Sequence, residues 1–536
     1  VISLVRQGEP RGTRQAAREY GISDALLGPC REKGEYRMSP TPLAPGVFVK
    51  ELPSGTRTIT GVGTSTPAFL GYTLKAPDGQ LSGKPVLVRG RQEFVESFWV
   101  PYGLSEARDN QERAEEELER VRGEYERVYG HLLALLPEEG NEELYYLKSQ
   151  SWREQLDPHS RSRLEELEQG IPSEACDAYA QWGCTGQRYT DCGSESEYWD
   201  ETVKRLDQAE AWRLVDAVSG FFANGGTSCY IVRLDHTKPL FTALPGDEDD
   251  RTGLAGLRTV PEVAMVAVPD LWTDDTDEQY GAQCMQLVVA HCVQMRNRLA
   301  VLDAPPDTNV AGVKDFLTNL GTTDPDAAFT TLYYPWISVP APGDDARAAP
   351  PCGHVAGVWA RTDAERGVFK APANQVLRDV TGLTQALTDD LQGELNDKGV
   401  NCLRTLPGQG HVVWGARTRS TSRDWVYLNV RRLVCFLAES IRLSSTWAVF
   451  EPNDDRLWAS LRHSVTSFLT DQWRQGALLG RTPEEAFFVV CDRTNNISST
   501  IDLGKVICDI GVAPVRPAEF VHFQITQIAG QPAKTG

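Results

Sequence analysis

Ala264-Met265-Val266-Ala267-Val268 and Leu299-Ala300-Val301-Leu302-Asp303 are apolar runs of strand length, and residues 279–297 between them put Cys284, Leu287, Val288 and His291 on one helical face. Strands covered on both faces lose the polar alternation of a half-exposed sheet, and two of them joined through a helix pair in parallel. The segment therefore predicts a βαβ unit and α/β texture across 256–340. Asp303-Ala304-Pro305-Pro306 closes the second strand. A carboxylate there is a candidate catalytic position, but a cap that turns the chain is the stronger reading. With no glycine-rich phosphate loop beside it, the unit carries no function by itself.

A chain of 536 residues exceeds one compact core, so roughly two to four domains are expected. Hydrophobic content of 41% with 24% charged residues is that of a globular protein. No apolar run approaches membrane-spanning length, and Val1 to Ser39 lacks the apolar core of a secretion signal, so neither a membrane span nor direct membrane insertion is expected. A net charge of −20 opposes phosphate binding and excludes nucleic acid as the expected partner; a basic protein surface fits better. The twelve cysteines are scattered, several inside apolar runs such as Val434-Cys435-Phe436, which reads as reduced thiols in a cytoplasmic product.

Candidate sites fail on spacing. Gly79 to Pro85 departs from a phosphate-cradling loop at its first spacing and puts proline where the hydroxyl belongs, leaving a surface turn. Gly61-Val62-Gly63 has no third glycine at the dinucleotide offset and reads as a turn. Cys176, Cys184 and Cys192 are too widely and evenly spaced for a zinc site, have no nearby histidine, and read as free thiols in a loop-rich segment. Cys352 and His354 offer a thiol and a base, yet residues two apart on a helix do not face each other. No catalytic residue, metal or cofactor is expected, and the chain is not read as an enzyme.

From Ser105 to Leu136, Ala114, Leu118, Val121, Tyr125, Val128, Leu132 and Leu135 alternate spacings of four and three, a seam along a long helix. A further amphipathic run holds Val203, Leu206, Trp212, Leu214, Val215 and Val218. Residues 104–210 contain 27 Asp and Glu against 12 Lys and Arg, so this segment carries −15 of the total −20. Later, Val355, Val358, Trp359 and Thr362 share a helical face that Gly367 is expected to end in a left-handed stop. Leu457 to Leu478 is amphipathic, Phe487 to Val490 is a strand, and Val506, Cys508, Ile510 and Val512 alternate as a half-buried strand.

Both ends look extended. Near the start, Val47, Phe48, Val49, Lys50 and Glu51 form a β-like run between Pro45-Gly46 and Pro53-Ser54-Gly55. Near the end, Pro514 and Pro517 forbid helix, so the chain is expected to leave its domain extended. Phe520 opens the last segment, where Val521, Phe523 and Ile525 alternate with His522, Gln524 and Thr526. Such a strand either adds to another sheet edge or folds back on its own domain, and the pattern favours neither.

The sequence resembles the contractile tail sheath family of phages, tailocins and extracellular injection systems. The blocks that carry this are Pro45-Gly46-Val47-Phe48-Val49, Phe221-Phe222-Ala223-Asn224-Gly225-Gly226, Tyr333-Tyr334-Pro335-Trp336, Gly353-His354-Val355-Ala356-Gly357-Val358-Trp359-Ala360-Arg361-Thr362-Asp363, Lys370-Ala371-Pro372-Ala373-Asn374, Asn429-Val430-Arg431-Arg432-Leu433, Phe450-Glu451-Pro452-Asn453, and Gly511 to Phe523. Their order over residues 40–530 is the specific feature.

The resemblance implies a structural subunit that polymerises helically, in rings of six-fold or similar symmetry, around an inner tube protein, with baseplate and cap proteins at the ends. Both arms then add strands to neighbouring copies, and contraction repacks the polymer. Assembly in the bacterial cytoplasm, with release inside a virion or extracellular particle, follows. The runner-up is a baseplate or receptor-binding component of such a particle; a hydrolase or transferase built on the βαβ unit is the third reading.

The expected fold class is α/β and α+β multidomain: mixed sheets with flanking helices, an inserted acidic helical subdomain, and extended N- and C-terminal β-strand arms. The expected organisation is an extension over 1–37, either loose or the product of an upstream start with Met38 the true one; an N-terminal arm over 38–58; an α/β domain from 59–103 plus 206–345; the inserted helices over 104–205, on the outer surface; a C-terminal core domain over 346–513; and a C-terminal arm over 514–536.

Overall fold

The computed structural model describes residues 58–75, 83–99, 104–136, 141–152, 156–208, 213–272, 276–340 and 346–520. The N-terminal arm residues Val47 to Glu51 and the C-terminal arm residues Val521 to Ile525 lie outside these, as does most of Gly79 to Pro85.

Strand β1 (Pro67–Gly71) is buried along its whole length. β2 (Pro85–Val88) pairs antiparallel with β3 (Cys229–Arg233), and β3 runs parallel to β1. On the other side of β1 follow β4 (Met265–Ala267), β5 (Leu299–Asp303) and β6 (Thr330–Tyr334), each parallel to the last. β7 (Ile337–Pro340) pairs with β8 (Ala346–Ala349) and with β10 (Gly382–Leu383) in a small separate sheet. The main sheet is completed by β11 (Val400–Leu406), parallel to β6, and then by β12 (Gly410–Val413) and β9 (Gln375–Val376), both antiparallel. β13 (Phe487–Val490) and β14 (Asp509–Val512) form an antiparallel pair of their own. From β1 the chain winds one way to β3 and the other way to β4, so the topology reverses between β1 and β4.

Counting only helices of eight or more residues, α1 (Arg91–Phe98) buries Phe94 and Phe98. Four helices follow: α2 (Leu104–Leu133), α3 (Asn141–Trp152), α4 (Pro158–Gln169) and α5 (Cys176–Gln208). α2 and α5 lie antiparallel, joined by Gln111 donating to Asp200 at 2.7 Å and by an Arg188–Glu117 pair at 3.1 Å. Val121, Tyr125 and Leu132 of the expected seam are buried, and Tyr125 and Leu132 share a core with Trp152, Ala175, Ala178 and Trp182 that is separate from that of the main sheet. The expected loop around Cys176, Cys184 and Cys192 is instead the helix α5. Gly183, Gly186 and Gly193 lower helix propensity and hid it, but a Cβ on Gly186 would collide with the Trp152 ring, so packing explains that residue.

The amphipathic run from Val203 to Val218 divides between two helices, because α6 (Leu214–Ala223) has its own start. Asp270 fixes that start, accepting from the backbone N–H of Arg213 and of Leu214. The βαβ expectation holds: α7 (Glu278–Met295), with Asp277 capping Tyr280 N at 2.7 Å, joins parallel β4 and β5. α8 (Val310–Leu320) joins β5 to β6.

α9 (Cys352–Arg366) crosses α6 so closely that a Cβ at Gly353 or Gly357 would strike the α6 backbone, and one at Gly220 would strike the His354 ring. Gly367 ends α9 at φ 92°, ψ 160°, which is not the expected left-handed turn but a region essentially reserved for glycine. α10 (Asp389–Asp397), α11 (Leu428–Ser444) and α12 (Asp455–Arg474) complete the set. The predicted strand from Val506 shortens to β14, in which Ile510 is exposed; among the described residues β13 and β14 pair only with each other.

Candidate functional site

The site that emerges is a junction on α11. Arg432, Phe436, Ser440 and Ser444 recur every fourth residue, so they form one stripe along the helix. Residues 58–66 run along this stripe in the opposite direction. Thr60 N donates to Ser444 Oγ at 3.2 Å and Val62 N to Ser440 Oγ at 3.1 Å, while Gly61 lies against the Phe436 ring. Gly61-Val62-Gly63 is thus an extended stretch pinned to a helix, not the turn expected from its glycines; the helix supplies the hydrogen bonds that a sheet would otherwise give.

At the end of the stripe, Arg432 donates to both oxygens of Asp363, at 2.9 and 2.6 Å, and to Thr64 O at 3.1 Å. Thr64 Oγ1 also donates to Asp363 Oδ2 at 2.6 Å. Both charged side chains are only 4% exposed, and the guanidinium lies 4.6 Å from the centre of the Trp359 ring. A buried carboxylate and a buried guanidinium satisfy each other here, and the backbone carbonyl and hydroxyl of Thr64 complete the network.

The other end of the chain meets the same helix. Asn429 donates to Phe369 O at 2.8 Å and to Val515 O at 3.0 Å. Pro514 and Pro517 keep the segment extended, but it does not leave the body at Pro514 as expected. Ala513 N donates to Ala486 O, Leu479 N to Ala513 O, and Val515 N to Ala477 O. Arg417 Nε donates to Glu519 Oε1 at 3.0 Å, and this contact raises the guanidinium pKa. The backbone groups of Ala513 and Val515, on either side of Pro514, are therefore used within the same subunit. Phe520, the last described residue, is 70% exposed.

The places where an α/β fold would do chemistry are filled. Ligands of doubly wound sheets sit where the topology reverses, beyond the strand C-termini. There, beside β1 and β4, Asp270 is fully buried and accepts from Tyr72 N at 2.7 Å as well as from Arg213 and Leu214. Desolvation still pushes its pKa up to about 6. A Cβ at Gly71 would collide with this carboxylate, so the crevice is occupied by the protein itself. The sequence reading missed Asp270; the available signal was Pro269-Asp270 directly after an apolar strand.

Asp303 is buried at the end of β5, where its carboxyl meets the backbone N–H and the thiol of Cys352 at the start of α9. Burial raises its pKa to about 7 and lifts the Cys352 thiol well above its ordinary range. His354, pushed down to about 4 by burial, faces α6 instead of the thiol, so no nucleophile and base are assembled. Because the folded-state pKa of Asp303 exceeds the ordinary 3.8, its contribution to stability is fully present below that value and is lost as pH rises to about 7. Asp303→Asn is therefore expected to raise the melting temperature at pH 8 and to change it little at pH 4, measured by thermal scans at both. A gain of equal size at both pH values would contradict the assignment. Cys176, Cys184 and Cys192 fall at successive eight-residue steps along α5, and among the described residues no group of three or more His, Cys, Asp or Glu side chains could hold a metal ion.

With this geometry in hand, comparison with known proteins is decisive. The family model for the phage tail sheath protein central domain matches residues 251–419, and that for the phage tail sheath C-terminal domain matches 420–528. The chain belongs to the contractile tail sheath family. A putative prophage major tail sheath protein of Pseudomonas aeruginosa is 27% identical over 239 residues, 42% of this chain and 57% of that protein. The tail sheath protein of Vibrio phage KVP40 is 25% identical over 335 residues, 58% of this chain and 47% of that protein. The aligned regions thus span about half the length of these curated relatives.

Among solved structures, a chain of the six-fold symmetrised anti-feeding prophage baseplate matches 91% of this sheath chain and 100% of its own length, at TM-score 0.56 and 25% identity. A chain of the contracted PVC sheath complex, from an extracellular contractile injection system, covers 91% and 99% at TM-score 0.55 and 23% identity, a likeness of fold. Two of the blocks that carry the family resemblance build the junction: Gly353 to Asp363 supplies the α9 crossing and Asp363, and Asn429 to Leu433 supplies the contacts to Val515 and Thr64.

Proposed function

We propose that this chain is the structural subunit of a contractile sheath, polymerising helically around an inner tube protein and shortening to drive that tube through a target envelope. The observation that carries this reading is the convergence on α11 of the segments that follow the N-terminal arm and precede the C-terminal arm. Arms rooted on one rigid helix transmit the position of a neighbour to the body, so subunits can rotate while their connections persist. Sheath-family membership and the match to chains from contractile particles support it; the match to a chain of a baseplate structure does not favour the baseplate alternative over it.

The acceptor for a neighbour's strand is β13–β14. Each of its strands has one ladder partner among the described residues, and Phe488 and Ile510 are exposed on it. An open edge next to exposed apolar side chains offers main-chain hydrogen bonds for affinity and side-chain contacts for register. Val47 to Glu51 and Phe520 to Ile525 are the strands proposed to add there. Contacts of this head-to-tail kind do not close and so build a filament. Electron microscopy of the purified chain tests the reading: tubes of stacked rings are expected, and a closed oligomer with no tubes under any assembling condition would count against it.

Residues 104–205 are proposed to project from the outer wall and to be dispensable. The helices of this segment bury their own core, and the flanking α1 and α6 touch through Arg91 donating to Ser219 at 3.1 Å, so both ends of the segment leave from neighbouring elements. The charge excess costs least facing water, screened over about 8 Å at physiological salt. Replacing 104–205 by a Gly/Ser linker is expected to give thinner tubes of unchanged lattice. Loss of assembly by a variant whose melting is otherwise native would make the segment an inter-subunit contact.

A further inference from the structure

The ladder of β13–β14 pairs Val490 with Asp509, so the next opposed pair is Cys491 and Cys508. Ala513 N donates to Ala486 O, which makes 486 and 513 a hydrogen-bonded pair, and strict alternation from there makes 491 and 508 a non-hydrogen-bonded pair. Opposed residues of that kind have Cα atoms about 4.5 Å apart, within the range that a disulfide spans. The two thiols already interact with each other, and both pack in one cluster with Leu457, Trp458 and Leu461. The loop between them is held in place independently of the sulfurs. Asn496 Nδ2 donates to Ile507 O at 2.9 Å and Oδ1 accepts from Ile507 N at 2.7 Å, while Asn495 donates to Val490 O at 2.7 Å.

We propose that Cys491 and Cys508 are an oxidation site, forming an intrachain disulfide when the protein meets a low-molecular-weight disulfide such as oxidised glutathione. One protein thiolate attacks a glutathione sulfur and releases one glutathione thiolate. The second protein thiol loses its proton and attacks the protein sulfur of the mixed disulfide, releasing the second glutathione. Two protein thiols are oxidised to one disulfide, and one glutathione disulfide is reduced to two thiols. The step is slow in the folded chain, because desolvation raises both thiols and pushes Cys508 up to about 12, so exchange proceeds through local opening of the loop. The bond staples the two strands of an open-edged sheet at the end where their connecting loop begins. This pairing follows from strand register and holds whether or not the sheet accepts a neighbour's strand.

The test is incubation of the full chain with oxidised glutathione, followed by alkylation of remaining thiols, digestion and non-reducing mass spectrometry. The solvent-exposed Cys176 and Cys184 serve as internal controls that oxidation has occurred. The expected product is a linked peptide pair joining Cys491 to Cys508 within one chain, and Cys508→Ser should convert the Cys491 signal to a glutathione adduct or free thiol. Recovery of Cys491 and Cys508 both alkylated, after Cys176 and Cys184 are fully converted and the incubation is repeated in mild denaturant, would overturn the proposal. So would a dominant linkage of either residue to a third cysteine.

Discussion

Arg432→Ala is expected to lower the stability of the folded chain by about 3–5 kcal/mol, the range for removing one partner of a buried ion pair. The cost arises mainly from what remains. Asp363 would keep its position on α9 against residues 64 and 65 with its guanidinium partner gone, and only Thr64 and Ser65 hydroxyls would be left to donate to it. Thr64 O would lose its donor as well, and the Trp359 face would lose the cation above it. Arg432→Lys should recover only part of the loss, because an ammonium cannot serve both carboxylate oxygens and a carbonyl in the planar geometry that Arg432 uses. Replacing both residues by apolar side chains of similar volume should cost less than Arg432→Ala alone, since no charge is then left buried. Denaturant unfolding followed by tryptophan fluorescence reads all three variants. A midpoint for Arg432→Ala within error of the parent would show that the pair is not the clamp described here. Hydrogen exchange at Thr60 and Val62 should rise in the same variant, because the stripe on α11 is anchored at its Arg432 end.

The legible parts of this fold were those decided by local pattern. Ala264 to Val268, the helix after Asp277 and Leu299 to Asp303 were readable because fully buried strands and an amphipathic helix each leave a signature within a few residues. α5 was not readable, since the reason for Gly186 is Trp152, more than thirty residues away. The same holds for Gly353 and Gly357, whose meaning is the α6 backbone beneath them. Asp270 and Asp303 followed similar strands and looked alike in sequence. One proved to cap another helix and fill the crevice, the other to sit against a thiol, and only the three-dimensional neighbours tell them apart. The α11 junction was visible as a block of family resemblance with no stated physical role. Its role needs residues 64, 363, 429, 432 and 515 brought together, a set that no periodicity could collect.

Ending the chain at Phe520 is expected to abolish tube formation while leaving the melting temperature unchanged. The residues removed begin with Val521, past the last contact that the described chain makes with its own body, and the alternating run from Val521 to Ile525 is the strand proposed to add to β13–β14 of another copy. Strand addition supplies several main-chain hydrogen bonds per contact, repeated at every subunit, so its loss acts on the polymer far more than on the monomer. Ending the chain at Pro514 is a different experiment. It also removes Val515 O from Asn429 and Glu519 from Arg417, leaving a half-buried guanidinium with Asn396 O as its remaining acceptor. That truncation should both prevent tubes and cost about 1–3 kcal/mol of fold stability, the penalty of partly buried polar groups left unpaired. The two cut points therefore separate the strand from its root. Melting curves and electron microscopy of both variants distinguish them: tubes from the chain ending at Phe520 would remove the C-terminal strand from the assembly, whereas equal melting of both variants would show that the root contacts at Val515 and Glu519 carry no stability.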